Sequence, residues 1–129
     1  MLKKFLQWIG LKEKLHLLKH KPPHVNERDL WWTSLGDNVG SEMNGKSQKF
    51  SRPVLILKKL SRGFFLVAPT TTQRHEGSWY VHIQHADKDV YVCLHQIRTI
   101  DYRRLWDRLG QIDGDDFMAV KSSFRELYK

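Results

Sequence analysis

The run Arg52-Pro53-Val54-Leu55-Ile56-Leu57 decides the fold class of this chain. Four consecutive aliphatic residues behind a proline predict a buried strand. On both sides of this run, short apolar segments alternate with turn residues, which is typical of a compact β structure. We therefore predict strands over Asp29 to Leu35, Pro53 to Leu60, Phe64 to Ala68, Ser78 to Gln84 and Val90 to Leu94.

Helical patterns flank the β region. Asp113 begins a C-terminal helix, and apolar residues then recur at helical spacing from Phe117 to Leu127. Residues 1–20 carry apolar clusters on two different helical faces, and Pro22-Pro23 ends this pattern. We therefore divide the chain into an N-terminal helical extension, residues 1–24, and one domain over residues 25–129.

A shorter helical turn is predicted from Arg103 to Leu109. In this arrangement Leu105 and Trp106 point inward, and the arginines Arg103, Arg104 and Arg108 point outward. In the fourth predicted strand, Ser78 to Gln84, alternation places Trp79 on the same face as Val81 and Ile83.

The composition restricts the partners and the compartment of the chain. Its 129 residues fit one domain with an appended element, and the formal charge of +8 favours a polyanionic partner. The single cysteine, Cys93, cannot form an internal disulfide, so a reducing cytoplasm is the simplest setting. Lysines interrupt the apolar residues near the N-terminus, which fits neither a signal peptide nor a membrane span. We therefore expect a soluble protein that is not exported.

Polar side chains stand at the ends of three predicted strands. They are Arg52, the hydroxyl cluster of Pro69-Thr70-Thr71-Thr72-Gln73, and the segment from His95 to Asp101. A permanent cation, hydroxyl groups and a titratable imidazole together suit chemistry on a phosphodiester. The connection from Gly36 to Ser51 is long and rich in Gly, Asn and Ser, which favours a working loop over a simple link.

Six ordered segments carry a resemblance to a known family. They are Trp31-Trp32-Thr33-Ser34-Leu35-Gly36, Gly40-Ser41-Glu42, Arg52-Pro53-Val54-Leu55-Ile56, Pro69-Thr70-Thr71-Thr72-Gln73, Gln96-Ile97-Arg98-Thr99-Ile100-Asp101 and the closing helix. In this order and spacing they resemble the MazF/PemK family of toxin endoribonucleases over roughly residues 27 to 128. Each segment alone is weak, but the ordered set is specific.

This resemblance implies an α+β, mainly β fold: a small, strongly curved antiparallel sheet or barrel with a C-terminal helix. It implies a homodimer that cuts single-stranded RNA without a metal or other cofactor and is neutralised by an acidic antitoxin. The family's catalytic arginine and threonine fall on Arg52 and Thr71. Together with the polar and charged residues of the loop from Gly36 to Ser51, the resemblance suggests RNA-binding residues. They are Glu42, Asn44, Lys46, Lys49, Thr70, Thr72, Gln73, Gln96 and Arg98.

His95 occupies a position that is often an aspartate in the family. Because imidazole exchanges a proton near neutral pH, we consider His95 a candidate acid or base for cleavage. The alternative for His95 is a purely structural role at the end of a strand. For Arg52, the alternative to a catalytic role is an ordinary surface arginine at the start of a strand.

Two other functions stay open at this point. The first is a catalytically inactive member of the same fold that only binds RNA or a protein. This alternative stays open because His95 stands where the family often has an aspartate. The second is a gyrase inhibitor of the CcdB type, against which Arg52 and Thr71 argue. The N-terminal segment carries about +5 of charge and could dock on the core, extend an RNA surface or lie on a membrane; docking is our expectation.

Overall fold

The computed structural model describes residues 24–35 and 51–129. The expected N-terminal helical extension lies outside these residues. So do the loop residues Glu42, Asn44, Lys46 and Lys49. The elements of the described part are β1 (Asp29–Ser34), β2 (Ser51–Ser61), β3 (Phe64–Thr71), β4 (Tyr80–His85), β5 (Lys88–Cys93), β6 (Arg98–Asp101), β7 (Leu105–Gln111) and α1 (Gly114–Leu127).

The strands form one antiparallel seven-stranded sheet in the order β4-β5-β3-β2-β1-β7, with β6 also paired to β3. The first half of β3 pairs with β6 from Phe64 to Val67, and its end pairs with β5 at Thr70 and Thr71. The chain then passes from β6 to β7, which pairs with β1 on the other side of β2. Side chains of β6, β3, β2, β1 and β7 all pack in one buried core, so these five strands curl into a partial barrel. This confirms the strongly curved sheet implied by the resemblance.

Strand β2 separates two hydrophobic cores. Val54 and Ile56 face the inside of the curl, where they pack with residues such as Phe65 and Val67. Leu55 and Leu57 face the opposite side and pack in the core that contains Phe117 and Val120 of α1. Because successive strand residues point to opposite faces, this two-sided burial explains why the run Val54 to Leu57 is apolar throughout.

Helix α1 begins as predicted. The Asp113 carboxylate accepts a hydrogen bond from the backbone N–H of Asp115 at 3.1 Å, which satisfies one of the unpaired donors of the first turn. Phe117 and Val120 are buried against the sheet, and Leu127 packs against the same core. The apolar stripe of the helix is thereby confirmed.

The predicted helical turn from Arg103 to Leu109 is wrong. Only Tyr102–Arg104 forms a 3-10 turn, and Leu105–Gln111 is strand β7. The backbone groups of β7 are satisfied by the edge of β1, and this pairing with a distant strand overrides the local helical spacing. Leu105 is buried as predicted, but Trp106 is exposed and Arg104 is half-buried.

The remaining differences concern strand ends. β6 has four residues and was not predicted, because so short a run carries little periodicity. β4 begins at Tyr80, so Trp79 precedes the strand and is 42% exposed, whereas Val81 and Ile83 are buried. β3 continues to Thr71, so the threonine cluster begins inside the strand.

In the described part of the chain, the structure contains no helix whose length and apolar character would allow it to cross a membrane.

Replacing Asp113 by alanine should destabilise the domain by about 1 kcal/mol, because the first turn of α1 loses its side-chain cap. Chemical denaturation measures the change in the free energy of unfolding. Asp113→Ser retains a capping oxygen and should recover most of the loss. Equal stability of the alanine variant and the wild type would show that this cap contributes nothing.

Candidate active site

Arg52 and Thr71 meet at one end of the ladder between β2 and β3. Val54 is paired with Pro69. Arg52 lies two residues before Val54, and Thr71 lies two residues after Pro69 on the antiparallel strand. Continuing this register places Arg52 across from Thr71 on the same face. Both residues also line one cavity, so the structure brings together the two residues predicted to be catalytic.

Three hydrogen bonds hold this end of the ladder. Arg52 Nη1 donates to the carbonyl oxygen of Thr70 at 3.2 Å. The Thr70 hydroxyl donates to the carbonyl oxygen of Pro53 at 2.9 Å, and the Thr71 hydroxyl oxygen accepts from the Gln73 N–H at 3.2 Å. The Thr71 hydroxyl oxygen therefore accepts this hydrogen bond. Its own hydrogen points elsewhere and can be donated to another partner.

Burial dominates the electrostatics of Arg52. The residue is only 6% exposed, so it is not the surface arginine of the alternative interpretation. Burial lowers the pKa of Arg52, since removal from water disfavours its charged form, and the nearby Cys93 has a smaller, opposite effect.

A cavity of about 460 Å³ opens beside these residues. Its lining mixes apolar and polar side chains, which would suit a ligand with both a ring and an anionic group. Its lining includes Arg52, Thr70, Thr71 and Thr72, together with Trp32, Pro53, His85, Lys88 and Leu109.

His95 lies apart from this cavity, in the 3-10 turn Leu94–Gln96 that follows β5. Its exposed ring is edge-on to Tyr80, with ring centres 5.1 Å apart, and to Trp79 at 6.3 Å. Among the other predicted RNA-binding residues, Thr72 and Gln73 are exposed, whereas Gln96 and Arg98 are half-buried.

The sequence analysis missed Arg104. Arg104 Nη1 donates to the carbonyl oxygen of Ser34, at the end of β1, at 3.2 Å. Burial and the neighbouring charge of Arg98 lower the pKa of Arg104. Arg98 is paired with Val67 in the middle of β3, and Arg104 contacts Ser34, which is paired with Ser51, the residue before Arg52. Both arginines therefore add positive charge near the Arg52 end of the curl.

Comparison with known proteins identifies the family. Residues 26–128 match the sequence model of the PemK-like, MazF-like toxins of type II toxin–antitoxin systems. The chain belongs to this toxin family. The endoribonuclease EndoA of Bacillus subtilis (strain 168) is 30% identical to the toxin over 101 residues, which cover 70% of this chain and 83% of EndoA.

Solved structures share the toxin's fold. MazF from Deinococcus radiodurans superimposes with a TM-score of 0.64 at 20% identity, covering 80% of this chain and 94% of that one. A mycobacterial endoribonuclease, solved with its cognate antitoxin, gives a TM-score of 0.63 at 18% identity over 79% and 92% of the two chains. At these identities the likeness establishes the fold alone.

Within residues 24–35 and 51–129, the toxin has no group of three or more His, Cys, Asp or Glu side chains placed to hold a metal ion.

Cys93 of the folded toxin should resist alkylation at pH 8. Burial raises the pKa of Cys93 to about 11, so the thiol stays protonated at pH values where an unfolded chain begins to form the reactive thiolate. Iodoacetamide labelling followed by mass spectrometry measures the rate. Denatured toxin is the control and should react much faster; equal rates would contradict both the burial and the raised pKa.

Proposed function

We propose that this toxin is a sequence-selective endoribonuclease that cleaves single-stranded RNA, including mRNA, without a metal ion. The observation that supports it best is the cross-strand placement of Arg52 opposite Thr71, the two positions that carry the family's catalytic motif. The name of the Bacillus subtilis relative, an endoribonuclease, supports the same activity.

The proposed reaction is a transesterification inside the RNA. The 2′-oxygen attacks the adjacent phosphorus, a 2′-O–P bond forms, and the P–O bond to the 5′-oxygen breaks. The 2′-hydroxyl loses its proton to a base, and the leaving 5′-oxygen receives a proton from an acid. No water is consumed, so the products carry 2′,3′-cyclic phosphate and 5′-hydroxyl ends.

Each step requires a different property of the site. Arg52 holds a permanent positive charge in a buried position, where it would stabilise the negative charge of the phosphorane more strongly than in water. Thr71 would donate its hydroxyl hydrogen to an oxygen of the scissile phosphate. His95 is the candidate for proton transfer, because its exposed imidazole can exchange protons with solvent.

The RNA strand would pass along the Arg52 end of the curl. The charge of +8 favours a polyanion, and the basic side chains Arg98 and Arg104 extend the positive potential there. The proposed RNA contacts are the residues predicted from the sequence, Glu42, Asn44, Lys46, Lys49, Thr70, Thr72, Gln73, Gln96 and Arg98.

The proposed assembly is a homodimer that an acidic antitoxin neutralises in the cytoplasm, where mRNA is found. Structures with the same fold include complexes of MazE with MazF and of an endoribonuclease with its cognate antitoxin, and the positive charge of this chain suits an acidic partner. The N-terminal extension over residues 1–24, ahead of the toxin domain at 25–129, would dock on this domain.

Arg52→Ala should reduce RNA cleavage by roughly 10²–10³-fold, the usual cost of removing one group that stabilises a developing oxyanion. The measurement is cleavage of a long single-stranded RNA in EDTA, with fragment ends mapped by primer extension and their chemistry determined.

Arg62→Ala is the matched control, because it removes one exposed arginine at the β2–β3 turn and leaves the site intact. The variant should cleave like the wild type. A fully active Arg52→Ala protein would contradict the proposed mechanism. A folded wild type that cleaves no RNA would favour an inactive member of the family that only binds RNA.

His95→Ala should slow cleavage and should flatten the pH dependence of the rate around neutral pH, because the variant lacks the proposed proton donor or acceptor. Cleavage rates between pH 5 and about 9 test this. His24→Ala, which removes an exposed imidazole before β1, should keep the wild-type profile. An unchanged profile in His95→Ala would reduce His95 to a structural residue.

A further inference from the structure

The pair Arg52 and Thr71 belongs to a longer row of side chains on one face of the sheet. Thr71 of β3 is paired with Tyr91 of β5, and Tyr91 is paired with His82 of β4. Directly opposed residues in antiparallel strands project to the same face. The row therefore continues from the buried Arg52 and Thr71 to the half-buried Tyr91 and the exposed His82.

Aromatic rings cover this face beyond Thr71. The rings of His82 and Tyr91 are stacked, with centres 5.0 Å apart and planes inclined by 24°. One row further along the strands, Tyr80 stacks on His75, with centres 4.5 Å apart and planes inclined by 7°. We name these four residues, His75, Tyr80, His82 and Tyr91, the aromatic strip.

The two stacked pairs also lie next to the candidate catalytic pair. Tyr91 is the cross-strand neighbour of Thr71, and Tyr80 is paired with Cys93, which lies on the same face of β5 as Tyr91. An RNA phosphate held by Arg52 and Thr71 would thus have flat aromatic rings beside it on one side.

We infer that the aromatic strip is the platform on which the bases next to the scissile phosphate stack. Unpaired RNA bases are commonly bound by stacking on Phe, Tyr, Trp or His rings, because every base has a flat face. This inference rests on the proposed function and adds the residues that hold the bases. It also explains why the substrate is single-stranded, since bases inside a duplex are not available for stacking.

The edge of the strip has a fixed hydrogen-bonding pattern. His82 Nε2 lies 2.8 Å from Asp89 Oδ1, and because an ionised carboxylate can only accept, Nε2 carries the hydrogen. Gln84 Nε2 donates to the same oxygen at 3.4 Å. These bonds fix the plane of the His82 ring against Tyr91, so the outer face of the ring stays oriented for a base.

The test measures RNA binding independently of cleavage. The probe is a fluorescently labelled single-stranded RNA that contains a cleaved bond and a 2′-deoxy sugar at the scissile nucleotide, which removes the attacking hydroxyl. We expect His82→Ala to weaken binding about tenfold, the effect of one lost stacking contact, in fluorescence anisotropy titrations. His82→Phe keeps a flat ring and should bind far more tightly than the alanine variant.

Phe64→Ala is the matched control. Phe64 is 41% exposed and starts β3, seven residues and roughly 24 Å from Thr71 along the strand, so its ring is remote from the proposed RNA path. This variant should bind like the wild type.

A series of probes with one abasic nucleotide locates the stacked base. For the wild type, one position beside the scissile phosphate should show a tenfold loss when its base is removed. In His82→Ala the same abasic substitution should cause no additional loss, because the stacking partner is already absent.

The outcomes separate this inference from the proposed function. One outcome is a toxin that cleaves RNA while its folded His82→Ala and His75→Ala variants bind as tightly as Phe64→Ala. This result would contradict base stacking on the aromatic strip and leave the proposed nuclease activity intact. A wild type that binds single-stranded RNA through the strip but never cleaves would overturn the nuclease alone. Absence of any RNA binding would overturn both.

Discussion

The two-sided burial of β2 is the constraint on which the rest of this structure depends. Val54, Leu55 and Ile56 are fully buried and Leu57 nearly so, with alternate residues in two different cores. Full burial of each such side chain contributes about 1.5–3 kcal/mol relative to exposure. A shift of β2 by one residue would exchange the two sets of side chains, so packing in both cores fixes the register of this strand.

Fixing β2 also fixes Arg52. The arginine lies two residues before Val54 and so points to the same face, next to the end of β3. Burying a guanidinium is unfavourable, and the structure tolerates it because the chain around it supplies acceptors such as the Thr70 carbonyl oxygen. The fold thus uses the stability of two hydrophobic cores to hold one charged side chain away from water.

Local patterns predicted the parts of this fold that depend on nearby residues. The aliphatic run after Pro53 and the carboxylate of Asp113 each act over a few residues, and both gave the observed elements. β7 was wrongly predicted because its backbone is satisfied by β1, more than 70 residues earlier in the chain at Thr33 and Leu105. Propensity over short windows contains no information about such a partner.

The candidate site likewise has some features that nearby residues determine and others that depend on distant strands. Its motif residues Arg52 and Thr71 were recognisable from the sequence. The neighbours that give them an environment were not, because the pairing of Thr71 with Tyr91 and of Tyr91 with His82 follows from strand order and register. Arg104 was predicted to point outward because its local pattern resembled a helix, whereas in the structure it ends the 3-10 turn before β7 and its guanidinium reaches the carbonyl oxygen of Ser34.

The buried charge of Arg52 has a thermodynamic consequence. Burial removes the guanidinium from water and lowers the pKa of Arg52, so the folded state carries an electrostatic cost at this position. An anion that binds there offsets part of this cost, and any ligand that binds only the folded chain raises its stability. Binding at Arg52 and folding of the domain are therefore linked equilibria: the melting temperature would rise with anion concentration, and a variant without this charge would lose the response.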